Sequence, residues 1–411
     1  MDKKKDPILT PILRWFILAM VLANIAGSMY PLMLPLHLVD LGATVSQVGF
    51  FFFLSYSVLF VLQIIGGWIS DSIGRLRTIA LSTGAGIIGL SGMVLAPTWQ
   101  WMLAAYAVTM TPYALVNPSF GAFLAEQSSP ETRGRVYGMY DTLYHITGVI
   151  GPPLGGYLVG SHSFQTMMVA AAGIYTAAAV LRIWMALTMS PDPTQREGDL
   201  SLTSLKRNLN LMWVMLTGGG VITWIFLTDG VRDIAFRMTQ ELEPLYLEQV
   251  GRLSVEQIGL LGSLFSGAMI AVPLLSGQLA DRTEDRVPIT LGFFLTAAAM
   301  IIFLLSKGFM GFAATWVVFG IGTGLLNPAF QSLISKVVPE KKLGIFSGVF
   351  QSSKGFLALP APWLGAQLWE RFDPRLPFIF TAGIAFLAVL PGWLKFGNQD
   401  QDQAEKESQN N

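Results

Sequence analysis

Gly67-Trp68-Ile69-Ser70-Asp71-Ser72-Ile73-Gly74-Arg75-Leu76-Arg77 lies between two long uncharged runs, residues 41–70 and 78–125. In a water-soluble chain such a stretch would be an ordinary loop. Here each flanking run has enough apolar residues to cross a bilayer, which takes about 20. The stretch therefore reads as a tight polar hinge between two transmembrane helices. Glycine lets backbones approach closely. Asp71 stands where the first apolar run ends, and Arg75 and Arg77 follow.

The whole chain has the same character. Of its 411 residues 52% are hydrophobic and 13% charged, about half the charged share of soluble domains. Uncharged runs recur, and they predict an all-α polytopic membrane protein with twelve spans at 15–38, 47–69, 79–97, 101–125, 137–159, 165–187, 219–247, 255–277, 289–306, 310–336, 346–368 and 377–395. Lys and Arg crowd one set of loops and tails, from Lys3–Lys5 through Arg75, Arg133 and Lys341 to Lys406. The other set holds only Arg252, Lys307, Arg371 and Arg375. This asymmetry predicts a multi-pass protein of the plasma (inner) membrane with both termini cytoplasmic.

The expected organisation is a six-helix bundle over 1–189, a cytoplasmic linker over 190–208, a second six-helix bundle over 209–396 and a polar, disordered tail over 397–411. Residues 209–216 could begin the seventh span or lie along the membrane surface. There are no cysteines, so no disulfide, thiolate metal site or cysteine nucleophile is available.

The halves repeat. At an offset of 210, Gly67 matches Gly277, Asp71 matches Asp281, and Asn117-Pro118 matches Asn327-Pro328. Gly138, Pro152 and Gly155 match Gly348, Pro362 and Gly365, and Gln47 matches Gln257. At 209, Pro35-Leu36 matches Pro244-Leu245. Two bundles of one topology follow, the parallel repeat of a rocking transporter.

With these residues in view the chain resembles the major facilitator superfamily, and in particular its twelve-helix drug–proton antiporter branch. Gly67, Asp71, Gly74 and Arg75 match that superfamily's loop between spans two and three. Gly277, Asp281 and Arg282 form a partial second copy, with Glu284 where a later glycine would stand. Gly151-Pro152-Pro153-Leu154-Gly155-Gly156 looks like the antiporter signature of the fifth span. An arginine usual in the fourth span of such antiporters is Tyr106 here, and Trp316 in the repeat. The resemblance implies a conformational latch in which Asp71 faces the start of span eleven and Arg75 pairs with Glu126, with Asp281 as the second copy's acid.

Charges inside the spans mark candidate sites, because a charge at a bilayer centre costs at least about 2.5 kcal/mol. Asp229, Asp233, Arg237 and Glu241 recur every fourth residue and are expected on one face of span seven, with Arg232 in reach of Asp229. They fit either a proton-coupling or substrate site, or a neutralising ion-pair network. A protonatable Asp233 held by Arg237 could couple proton binding to a conformational switch. Asp141 and His145 form an i, i+4 pair on span five, and Lys354 lies on span eleven. They could relay protons near neutral pH, or Asp141 could sit exposed at the mouth. Asn117-Pro118 and Asn327-Pro328 are expected to bend their helices. The Gly151–Gly155 spacing suits close packing between the halves.

The expected function is secondary active transport by alternating access: proton-coupled export of small amphipathic molecules. Proton-linked uptake of a nutrient or organic anion is the alternative. A polytopic enzyme finds no cluster of catalytic groups, and a transporter-like sensor has no soluble domain to signal through. No nucleotide-binding loop is visible. The reading calls for no cofactor and no metal, a proton as coupling ion, a small-molecule substrate, a lipid bilayer, no nucleic acid and a monomer.

Overall fold

The computed structural model describes residues 10–73, 75–129, 132–189, 220–272, 283–338 and 340–397. Among them the chain is helical throughout. The helices are α1 (Pro11–Met29), α2 (Leu34–Asp40), α3 (Val45–Ile73), α4 (Arg75–Val94), α5 (Trp99–Gln127), α6 (Arg133–Ser161) and α7 (Phe164–Thr188). Then come α8 (Gly220–Ile225), a π-helical turn (Phe226–Gly230), α9 (Val231–Gln240), α10 (Glu243–Gln249) and α11 (Val255–Ala271). The last are α12 (Arg286–Leu305), α13 (Gly308–Val337), α14 (Glu340–Ala358), α15 (Ala361–Arg371) and α16 (Leu376–Lys395). Each of the twelve expected spans contains helix among the described residues, and seven helices there are each long and apolar enough to cross a membrane alone.

Two compact units result. The first holds α1 to α7 and the opening turns of α11, Ser254–Ser263; the second holds α8 to α10, the rest of α11 and α12 to α16. In the first, α4 packs on α5 and α7, α1 packs on α6 and α7, and α3 on α5. In the second, α12 packs on α13 and α16, and α9 on α16 and α15. Each core repeats residue types at equivalent places: Ile79, Phe120 and Phe123 in one, Ile289, Phe330 and Leu333 in the other.

The repeat reaches individual contacts. Thr44 and Gln47 cap α3 reciprocally, N–H to side chain at 2.9 and 3.3 Å. Ser254 and Gln257 cap α11 the same way, at 3.0 and 3.4 Å. Just before each box one residue is left-handed: Gly42 at φ 84° and its counterpart Arg252 at φ 52°. A Cβ on Gly155 would overlap the Met29 carbonyl oxygen, and one on Gly365 that of Met238. The small residue of each pair thus lets two helix backbones touch.

Several expectations are corrected. Gly67–Ile73 is not loop: α3 continues through Asp71, and α4 begins at Arg75. Likewise α6 starts at Arg133 and α14 at Glu340, ahead of the apolar runs. Hydropathy marks where lipid is crossed, whereas backbone hydrogen bonding carries a helix on into the interface. Spans one, seven and eleven are broken rather than continuous. Pro35 and Pro244 open α2 and α10, where a missing N–H costs nothing. Pro360 sits at the α14–α15 junction. By contrast, Asn117-Pro118 and Asn327-Pro328 interrupt neither α5 nor α13. Gly151 and Gly155 pack on Ser28 and Met29 of α1. Pro152 and Gly156 meet Gly259 and Val255 of α11.

The linker 190–208, residues 209–216, Gly74, Gly277, Asp281 and Arg282 lie outside the described residues, as does the tail beyond Gly397.

Gly155→Ala and Gly365→Ala should each cost about 1–3 kcal/mol, the range for overpacking a filled site. Gly383→Ala, which meets nothing within 4 Å, should cost nothing. Thermal unfolding of the detergent-solubilised protein checks this; equal midpoints for all three would remove the backbone contact from the account.

Candidate functional site

The seventh span departs most from regular helix. Thr228 donates its hydroxyl to the Trp224 carbonyl at 2.8 Å, competing with the regular ladder, and Phe226–Gly230 widens into a π turn. That turn carries Asp229. Asp229 is 4% exposed, and its carboxylate is met by two cations. Lys354 Nζ on α14 donates to Oδ2 at 2.6 Å, and Arg232 Nη2 stands 2.6 Å from Oδ1. Lys354 is itself buried, with Nζ 4.8 Å from the centre of the Phe350 ring. Phe350 in turn packs edge-on to Phe226. The site holds one negative and two positive charges, and the carboxylate ties α14 to the π turn.

The rest of the expected stripe is arranged differently. Arg237 Nε pairs with Asp233 Oδ2 at 3.3 Å, one turn beyond the π segment, and both side chains are partly exposed. Glu241 is buried but falls in the break between α9 and α10, beside buried Glu243. The π turn and this break mean that the four residues do not share one uninterrupted helical face. Asp141 and His145 approach to 3.8 Å, but Asp141's side chain is 71% exposed, so the pair is a surface contact.

Arg75 Nε reaches Glu126 Oε1 at 3.7 Å across α4 and α5. Residues 285 and 336 stand 210 positions on, and there Lys336 Nζ donates to Asp285 Oδ2 at 2.8 Å, with Ser332 donating to Oδ1 at 2.9 Å. The second unit has the same pair with its signs reversed. The side chains of Gly67, Asp71, Asn117 and Pro118 lie outside the described residues.

Arg182, like Glu243 and the Asp285–Lys336 pair, is a charge that sequence reasoning passes over. It lies on α7, 4% exposed, with Nη2 3.2 Å from Met20 Sδ and Nη1 3.5 Å from Thr83 Oγ1. No carboxylate among the described residues pairs with it. A single cation inside the expected span 165–187 was the available signal, although a long side chain near a helix end usually snorkels to water. The Asp229–Lys354 contact had no such signal, because its partners are 125 residues apart.

The family profile of the Major Facilitator Superfamily matches residues 16–231 and 234–410. The chain belongs to this superfamily. It is accordingly a secondary transporter of small molecules and not an enzyme. Among its relatives, the uncharacterized MFS-type transporter YqjV of Bacillus subtilis is 24% identical over 95% of this chain and 94% of that one. The multi-drug resistance efflux pump PmrA of Streptococcus pneumoniae is 22% identical over 88% and 90%. The quinolone resistance protein NorA of Staphylococcus aureus is 27% identical over 36% and 37%. Among solved structures, the peptide transporter POT in complex with sulfate superposes with a TM-score of 0.74 at 13% identity, covering 93% of this chain and 92% of that one. The nucleoside transporter NupG gives 0.74 at 14%, covering 94% and 99%. At such identities the structural likeness establishes the superfamily fold alone.

Lys354→Met should destabilise the protein by about 3–5 kcal/mol, the usual cost of stranding one partner of a buried ion pair. Adding Asp229→Asn should recover part of that loss. Denaturation midpoints of the two single variants and the double variant test the coupling, and strict additivity would show that the contact carries no energy. At the reversed pair, Asp285→Lys should cost about 1.5–3 kcal/mol and Lys336→Asp in the same chain should restore it, read by the same unfolding measurement.

Proposed function

We propose that the protein exports small amphipathic molecules in exchange for protons, by alternating access, with Asp229 as the coupling carboxylate. The observation that carries this is a buried carboxylate held between cations from two different spans, Arg232 beside it and Lys354 on α14. Protonation of Asp229 removes the charge to which Lys354 is bound, and so loosens α14 from the π turn. A proton shifts a conformational equilibrium only by its differential affinity for the two states. A buried pair that exists in one state and not in the other supplies such a difference. The membrane potential adds about 2.3 kcal/mol per charge per 100 mV. Asp233 with Arg237 is a second, more open carboxylate on the same span, and burial favours Asp229 over it as the switch.

In this reading the chain works as two six-helix bundles, 1–189 and 209–396, joined by 190–208, in the plasma membrane as a monomer with both termini cytoplasmic. Arg75–Glu126, with Asp71 and Asp281, belongs to the latch that biases inward against outward states. The direction of transport draws support from the efflux pumps among the relatives. Proton-linked uptake of an organic anion is favoured by a different observation: two cations face one carboxylate at Asp229, and Arg182, itself buried, adds a third.

Proteoliposomes with an imposed pH gradient separate these readings, with ethidium as amphipathic cation and anilinonaphthalene sulfonate as anion. Wild type should accumulate ethidium in proportion to the gradient. Asp229→Asn should lose at least about tenfold of that accumulation, the factor that about 1.4 kcal/mol represents, while still exchanging ethidium without a gradient. Gradient-independent flux in wild type would end the proton-coupling reading. Full coupling in Asp229→Asn would remove Asp229 from it, and gradient-driven movement of the anion alone would favour uptake.

A further inference from the structure

A groove of about 210 Å³ runs along the outside of the second unit, between the π turn of span seven and α16. Trp224, Leu227 and Val231 form one wall, and Leu387 and Pro391 belong to the other. Leu227 and Leu387 are exposed, so the groove opens outward. From Trp224 to Val231 it extends about 10 Å along the helix axis. Thr228 contributes no free hydroxyl to it, because that group bonds back to the Trp224 carbonyl.

All the charge is at one end. Lys395 Nζ lies 5.3 Å from the centre of the ring of Trp224, which lines the groove. Arg286 stands 4.6 Å over Trp393, two residues before Lys395. Arg286 is already paired with Glu284 at 2.7 Å. Lys395 is exposed, and no carboxylate among the described residues pairs with it. Tryptophan and basic residues together mark the bilayer interface, and basic residues beside a span attract anionic headgroups.

We propose that this groove binds one anionic phospholipid, an acyl chain lying along Leu227, Val231 and Leu387 and the phosphate held by Lys395. The charge pattern decides for a lipid over a transported molecule. The groove is apolar along its length, opens on the outer face and ends in a cation at the interface, which is the shape and polarity of a single-headed amphiphile standing in a leaflet. The site is independent of the transport reading. Its inner wall is the π turn that carries Asp229, so an occupant braces that turn from outside.

The test is native mass spectrometry of the full-length protein, titrated with phosphatidylglycerol or phosphatidylcholine of identical chains. Wild type should retain one phosphatidylglycerol about fivefold better than phosphatidylcholine. Lys395→Gln, on an exposed side chain, should abolish that preference. Leu227→Trp, which fills the groove, should lower phosphatidylglycerol retention although Lys395 is still present. Equal retention of the two lipids by wild type overturns the site, as does an unchanged preference in Lys395→Gln or an unchanged retention in folded Leu227→Trp. Inorganic phosphate should not compete; if it displaces the lipid at equal concentration, the headgroup alone is bound and the acyl-chain assignment fails.

Discussion

Hydrocarbon offers no hydrogen bonds, and every other feature of this protein answers to that constraint. Each backbone N–H and C=O within the membrane must be paired inside the chain. The helices therefore outrun their apolar stretches, and breaks occur only where something compensates. At Pro35 and Pro244 the missing N–H falls on the first turn of a new helix, where none is needed. At the π turn the Thr228 hydroxyl bonds into the backbone. Among the described residues departures from regular helix are thus few, and two of them hold buried carboxylates, the π turn at Asp229 and the break at Glu241.

The same constraint governs charge. An ion withdrawn from water needs a partner, and the two units meet this need in unlike ways on one framework. They share capping boxes, left-handed turn residues and the close backbone contacts at Gly155 and Gly365. At one equivalent place they carry the same ion pair with opposite signs, Arg75–Glu126 and Asp285–Lys336. What is kept between the halves is the contact, while the sign of each partner has been free to change. The deep polar groups show no such symmetry. Asp229 and Lys354 are confined to the second unit, and the first has Arg182 among hydroxyl and sulfur groups. Among the described residues the framework is repeated twice, while the buried charge is concentrated in one half.

The sequence by itself determined the helical class and the repeat, because these follow from hydropathy and local spacing, and its motifs at Gly67–Arg75 and Gly151–Gly156 carried the resemblance to the superfamily. Both members of the Arg75–Glu126 and Asp233–Arg237 pairs were also within its reach, through motif position and helical period. Tertiary structure decided what periodicity cannot carry. The i, i+4 stripe on span seven assumed a regular helix, and a π turn and a break displaced Asp229 and Glu241 from it. Gly151 and Gly155 were recognisable as a packing surface, but only the fold showed that their partner is α1. Lys354 meets Asp229 across 125 residues, and Arg182 turns inward rather than toward water. Each of these depends on where a side chain points once helices pack, and burial, which sets the cost of every unpaired charge, is a property of the packed chain and not of its order.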